Sequence, residues 1–256
     1  MSATRQEKST LSATADTDLS LQEYLRRRAA ACRDGSAGPP TEELEAMILH
    51  SEYPCLGARS VIRRVNASWV LLRAMDDEDD LQQLHQALTT FGQETEGSEE
   101  FVSCIAVFAD PVDGGEAGFE RSLWSVLQHL HDQDTQDWSD EVAADPSDPH
   151  FAFSVSGTAF FVVGLHPEAS RVARRAPIPT LVFNRHDQFE RLREQGAFDR
   201  MRETIRARDV RVQGDVNPMV EDHGSGSEAR QYSGRAVSDD WEPPFTQRQT
   251  DETGGE

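Results

Sequence analysis

Two apolar, β-rich runs, Phe151–Val155 and Thr158–Leu165, are separated only by Ser156-Gly157. Two residues suffice to turn a strand back on itself, and a glycine in the pair supplies the positive φ that such turns need. A hairpin is antiparallel, so it rules against a purely parallel sheet. Three further runs read as strands: Ser68–Met75 (SWVLLRAM), Phe101–Ala109 (FVSCIAVFA) and Thr180–Phe183. Between them the apolar period lengthens. Leu81, Leu84, His85, Leu88 and Phe91 recur at steps of three and four, as do Leu123, Leu127 and Leu130 within Phe119–His131, and Asp187 to Ala207 reads as one helix. Leu19–Cys32 and Thr41–His50 are predicted helices joined by a Gly35–Pro40 linker, the second opened by Thr41 as its cap. Asp132–His150, broken by Asp145-Pro146 and Asp148-Pro149, reads as an ordered loop. The expected fold is therefore mixed α/β (α+β): a single domain with one mixed sheet flanked by helices.

A chain of 256 residues with 37% hydrophobic content can bury a substantial core. Residues 1–18 and 246–256 are too poor in large apolar groups to pack and are expected to be disordered tails around a domain of residues 19–245. The net charge of −21 argues against nucleic acid as a partner, and an acidic face could instead attract a basic electron-donor protein. Lys8 is the sole lysine, so the positive charge of the domain is carried by arginine. Cys32, Cys55 and Cys104 are odd in number and widely spaced, which fits neither a disulfide framework nor a structural zinc site. With no apolar leader and no run near about 18 apolar residues, the expectation is a cytoplasmic protein with no membrane contact.

The candidate chemistry gathers in GLHPEASRVARRAPIPTLVFNRHDQFERLR. His166 follows a buried strand and precedes Pro167, a strand-end position where an imidazole can serve as a metal or haem ligand; a turn histidine bonded to backbone is the alternative. If Pro167 opens a helix, Arg171, Arg174 and Arg175 put at least two guanidinium groups on one face, suited to carboxylates of a ligand or of the protein's own surface. His186, at a strand-to-helix junction, is a second ligand or acid–base candidate, a helix cap being the alternative. Cys55, whose neighbours Pro54 and Gly57 are compatible with an exposed turn, is the rival axial ligand; a plain buried thiol is the alternative. His129 and His131 are two apart on a helix and point away from each other, and His131 with Asp132 and Asp134 reads as a solvated helix end. No GxGxxG and no phosphate loop is present.

The runs FSVSGTAFFVVGLHPEASRVARR, FNRHDQFERLR, VNPM and SEARQYSGR, in this order, resemble the YqcI/YcgG family over roughly Tyr53 to Phe245. That resemblance implies a haem-dependent N-oxygenase, similar to enzymes of D-cycloserine and guanitoxin biosynthesis. It would act on the guanidino or amino nitrogen of a small amino-acid-like substrate, with haem b iron as cofactor and dioxygen or peroxide as oxidant. On this chain it implies His166 as the iron ligand, with His186 and Cys55 as alternatives. Arg171 and Arg175 would face carboxylates, and Glu228, Arg230 and Tyr232 would orient the substrate. Phe160, Phe161 or Trp124 would shield the reacting oxygen. The other reading is a non-catalytic haem or small-ligand binding protein, a carrier or a sensor.

Overall fold

The computed structural model describes residues 19–217 and 226–248. The expected tail 1–18, Pro218-Met219 of the VNPM run, Gly224-Ser225 and residues 249–256 lie outside the described residues. Helices α1 (Leu21–Asp34), α2 (Pro40–Leu49) and α3 (Leu56–Arg63) come first, followed by strand β1 (Ala67–Leu72), helix α4 (Glu78–Glu94), strand β2 (Ser103–Phe108) and helix α5 (Gly115–Gln133). The hairpin strands β3 (Phe153–Val155) and β4 (Thr158–Leu165), strand β5 (Thr180–Arg185), and helices α6 (Asp187–Glu194), α7 (Phe198–Gln213) and α8 (Ala229–Tyr232) complete the described chain.

The five strands form one sheet in the order β1-β2-β5-β4-β3. β1 and β2 run parallel, linked through α4, and every other pairing is antiparallel. The sheet is mixed because the hairpin turns at Ser156 (φ 51°) and Gly157 (φ 72°), the two left-handed positions of a two-residue turn that matches strand twist. Asp134, at the end of α5, fixes that turn by accepting the Ser156 N–H at 2.6 Å.

Side chains alternate across the sheet, which gives two cores. On one face Cys104, Phe108, Phe160, Val162, Leu181 and Phe183 pack with α4 and α5. On the other, Trp69, Ile105, Val163, Leu165 and Val182 meet residues of α1 and α2 such as Leu25 and Met47. α1 is capped by Ser20 and ends on left-handed Gly35, and α4 is capped by Asp77, which accepts from Asp80 N.

Local chemistry moves several boundaries from where periodicity places them. α2 starts at Pro40 rather than on a Thr41 cap, because proline at the first turn has no N–H to satisfy and a φ already suited to helix. Cys55 lies in no exposed turn: it is the N-cap of α3, a helix the apolar pattern does not mark. The expected helix Asp187–Ala207 breaks at Gln195–Ala197, where Gly196 takes φ 63°, giving α6 and α7. No helix follows Pro167, because the chain folds back on the strand end. His166 donates its N–H to Arg174 O and accepts from Ala176 N, leaving one 3-10 turn at Val172–Arg174. The end of α5 is also less solvated than its charges suggest, since His131 and Asp134 are both buried. Residues 246–248 of the expected tail are held there: Thr246 exchanges hydrogen bonds with Gln128, and Arg248 N donates to His131 Nε2 at 3.0 Å.

Candidate functional site

A cavity of about 340 Å³ opens on the sheet face away from α4 and α5, a size within the range of small-molecule sites. Its floor is the sheet, through Ser103, Ile105, Phe161, Val163, Val182 and Asn184. α3 forms one wall, and the second is a face of α7 on which Phe198, Met201, Arg202, Ile205, Arg206 and Asp209 recur at helical spacing. That face explains how α7 can be a long helix with only Asp209 fully buried: its inward side chains border a space.

The charge of the cavity lining differs from that of the chain. Among the described residues its charged side chains are Arg174, Arg193, Arg202 and Arg206 against Asp209 and Glu228, four positive and two negative groups in a protein of net charge −21, with Arg202 also paired to Asp199 at 3.1 Å. Arg174 donates to two carbonyls, Gly164 O at 3.4 Å and Gln231 O at 3.0 Å, and burial pulls its pKa down. Arg193 pairs with Glu190 and lies over the Phe198 ring at 4.6 Å. Two buried carboxylate oxygens on this lining, Asp209 Oδ1 and Glu228 Oε2, have no hydrogen-bond partner among the described residues.

Cys55 borders the same space. Its Sγ accepts the Ala58 N–H at 3.4 Å. Burial pushes the thiol pKa up, while the backbone N–H groups of Ala58 and Gly57 and the Arg174 guanidinium act in the opposite direction. A ligand that removes the thiol proton would therefore meet donors already aimed at the sulfur.

The sequence candidates divide across the sheet. His166 is absent from the cavity lining. It lies one residue past Leu165, which borders the cavity, so strand alternation turns its ring to the other face, where it stacks on Phe119 of α5 with centroids 4.5 Å apart. Burial lowers its pKa from 6.5 to about 4. The folded state thus holds His166 neutral while the unfolded chain takes up a proton as pH falls below about 6.5, so stability is lost between about 6.5 and about 4. The loss should amount to about 3 kcal/mol at 1.36 kcal/mol per pKa unit. Urea denaturation of His166→Phe across that window should be flatter than wild type, and an equal slope would show that His166 is not the titrating group.

Arg171 pairs with the chain's own carboxylates, Asp209 at 2.6 Å and Asp215 at 2.8 Å. Arg175 donates to the carbonyls of Ala169 and Ser170. It is Arg174, the middle arginine of the three, that reaches the cavity, since the 3-10 turn separates side chains a helix would align. His186 does not line the cavity but contacts a residue that does, its Nε2 lying 3.6 Å from Glu228 Oε1. Arg230 turns outward to Ser238 O and Asp239. Tyr232 is buried on the α5 side, where its hydroxyl donates to Phe160 O and accepts from Phe153 N. Phe161 borders the cavity, whereas Phe160 and Trp124 belong to the opposite core.

Sequence reasoning missed Arg193, Arg202, Arg206 and Asp209 as site residues. The signal was available in the 198–209 spacing, where apolar and charged residues share a single helical face.

The sequence profile of the YqcI/YcgG family matches residues 44–246. The chain is similar to the Bacillus subtilis (strain 168) protein described as uncharacterized protein YcgG, at 23% identity over 195 residues, covering 73% of this chain and 77% of that protein. It is also similar to uncharacterized protein YqcI of the same organism, at 24% identity over 164 residues, covering 62% of this chain and 65% of that protein. No solved structure matches the chain. A profile match that runs from within α2 to residue 246, beyond α8, and so takes in both walls and the floor of the cavity, makes this chain a member of the YqcI/YcgG family.

Proposed function

We propose that the protein is a haem-dependent N-oxygenase that acts on the guanidino or amino nitrogen of a small amino-acid-like substrate bound in this cavity. The observation that carries the reading is the cavity's composition among the described residues: apolar walls, two more arginines than carboxylates, and a half-buried cysteine at a helix start. An apolar macrocycle bearing two carboxylates is complementary to such walls and to guanidinium groups at their edge. Among the described residues no three His, Cys, Asp or Glu side chains gather to chelate a bare metal ion. A haem iron held here would bring its own ring nitrogens and take a side chain such as the Cys55 thiolate as a further ligand.

Haem, when bound, supplies the oxygen activation. The chain's own residues do the rest. Cys55 offers its sulfur with the N–H groups of Gly57 and Ala58 and the charge of Arg174 to stabilise the thiolate form. Arg193, Arg202 and Arg206 suit carboxylates, those of the cofactor or of the substrate. Glu228 and Asp209 present acceptors to a cationic nitrogen. Phe161, Phe189 and Phe101 keep water from the reacting centre.

Protein produced with a supply of haem should be coloured, with a Soret band. Cys55→Ala should abolish or shift that band, while His166→Ala, across the sheet, should leave it in place. Supplied with L-arginine or smaller guanidines and a reductant with dioxygen, or peroxide, the loaded protein should yield a product heavier by one oxygen. A folded, colourless protein would refute the cofactor; a coloured one whose spectrum no guanidine or amine perturbs would favour the carrier or sensor instead.

A further inference from the structure

Glu228 has two oxygens with different surroundings. Oε1 lies 3.6 Å from His186 Nε2. Oε2 is buried and lacks a hydrogen-bond partner among the described residues, although Glu228 borders the cavity. A buried carboxylate oxygen left without a donor costs free energy, and the cavity is the direction from which a ligand can bring one. The side chains of both residues are largely shielded, with 11% exposure for His186 and 15% for Glu228, so charge on one is felt by the other.

We propose that Glu228 is an anion shared between two cations: the imidazolium of His186 neutralises it in the ligand-free protein, and the cationic nitrogen of the ligand does so on binding, whereupon His186 gives up its proton to solvent. The proposal rests on the reading that the cavity takes a ligand with a cationic nitrogen, but it requires neither haem nor turnover. The charge balance is simple. A positive group arrives at Oε2 and a proton leaves Nε2, so the pair of side chains and ligand nitrogen keeps its net charge.

The groups around the imidazole support this exchange. Burial alone would lower the His186 pKa. The Glu228 carboxylate 3.6 Å away and the charge of Glu190 on α6 outweigh burial and the opposing charge of Arg193, so the pKa is raised. Arg193 is itself paired with Glu190, which blunts the effect of both. A second cation at Glu228 is a like charge close to the imidazolium, and like charges push a histidine pKa back down. His186 is thus a positioning residue: it stays off the cavity wall and sets how available Glu228 is to a ligand.

The test is calorimetric titration of the protein as purified with L-arginine, in buffers of different ionisation enthalpy, near pH 6.5 and again above the His186 titration. Wild type should release up to one proton per arginine bound at the lower pH and none at the higher, with affinity rising between the two. His186→Gln should bind at least as tightly, release no proton and show affinity independent of pH over the same range. Glu228→Gln should bind at least about tenfold more weakly. Thermal melts establish that each variant is folded, and His186→Asn serves as the second replacement. No arginine binding by wild type, unchanged affinity in Glu228→Gln, or equal proton release in a folded His186 variant would each overturn the exchange. Proton-coupled binding without any oxygenated product would instead leave the exchange standing and defeat the N-oxygenase.

Discussion

Alanine at Gly118 is expected to destabilise the protein by about 3 kcal/mol, enough to lower its melting temperature by roughly 10 °C in a domain of this size. Gly118 sits in the first turns of α5, and a β-carbon built there falls 1.8 Å from Asp113 O and 2.8 Å from Asp113 C. Both atoms are backbone, so no rotamer change relieves the clash. Either the loop 110–114 or the helix must shift, and α5 carries Leu123, Trp124 and Leu127 of the core. Gly164→Ala on β4 provides a graded comparison. Its β-carbon would meet Phe119 Cε1 at 2.7 Å, Leu123 Cδ1 at 2.8 Å and Tyr232 O at 2.9 Å, two of them side-chain atoms that can yield. The smaller loss should therefore belong to Gly164→Ala in thermal melts, and a Gly118→Ala protein melting within a degree of wild type would contradict the close approach.

Arg171→Met should be comparably damaging, at about 3 to 5 kcal/mol, for an electrostatic reason. The Arg171 guanidinium joins Asp209 on α7 to Asp215 just beyond it, and about nine-tenths of the Arg171 and Asp209 side chains are shielded from solvent. Removing one member of a shielded pair strands the other charge without a partner. Asp209 also borders the cavity, so the loss should reach the ligand site as well as stability. The double variant Arg171→Met, Asp209→Leu removes both charges and should recover part of the loss. Chemical denaturation of the four proteins of this cycle gives the coupling energy, and a coupling near zero would mean that the pair contributes nothing.

Much of the sheet was legible because the pleat has a short period. Phe151–Val155 and Thr158–Leu165 had to pair across Ser156-Gly157, and the apolar steps from Leu81 to Phe91 had to face a core. α3 was not legible, since its LGARSVIR sequence mixes glycine, serine and arginine and its cap is a cysteine, a residue with no strong capping signature. The arginines after Pro167 misled for a related reason. Spacing of three and four aligns side chains only if a helix forms, and there the chain spends its hydrogen bonds on closing back to His166. Which face His166 takes depended on the last residue of β4, a boundary beyond the reach of periodicity. The cavity was hidden for a broader reason: Cys55, Val163, Asp209 and Glu228 are scattered over most of the chain, and only tertiary packing makes them neighbours.

The position of β5 has a consequence for how the chain is made. Among the described residues it is the last strand to be synthesised, yet it occupies the centre of the sheet, between β2 and β4. Until Arg185 has left the ribosome, the β1–β2 pair and the β3–β4 hairpin each expose an edge with no strand to satisfy it. The nascent protein therefore carries two half-sheets in the interval between completion of β4 at Leu165 and of β5 at Arg185, and β5 joins them as a keystone joins an arch. Chains that stop short of Thr180 should be recovered as aggregates, and the ligand cavity, floored in part by Val182 and Asn184, can form only after that joining step.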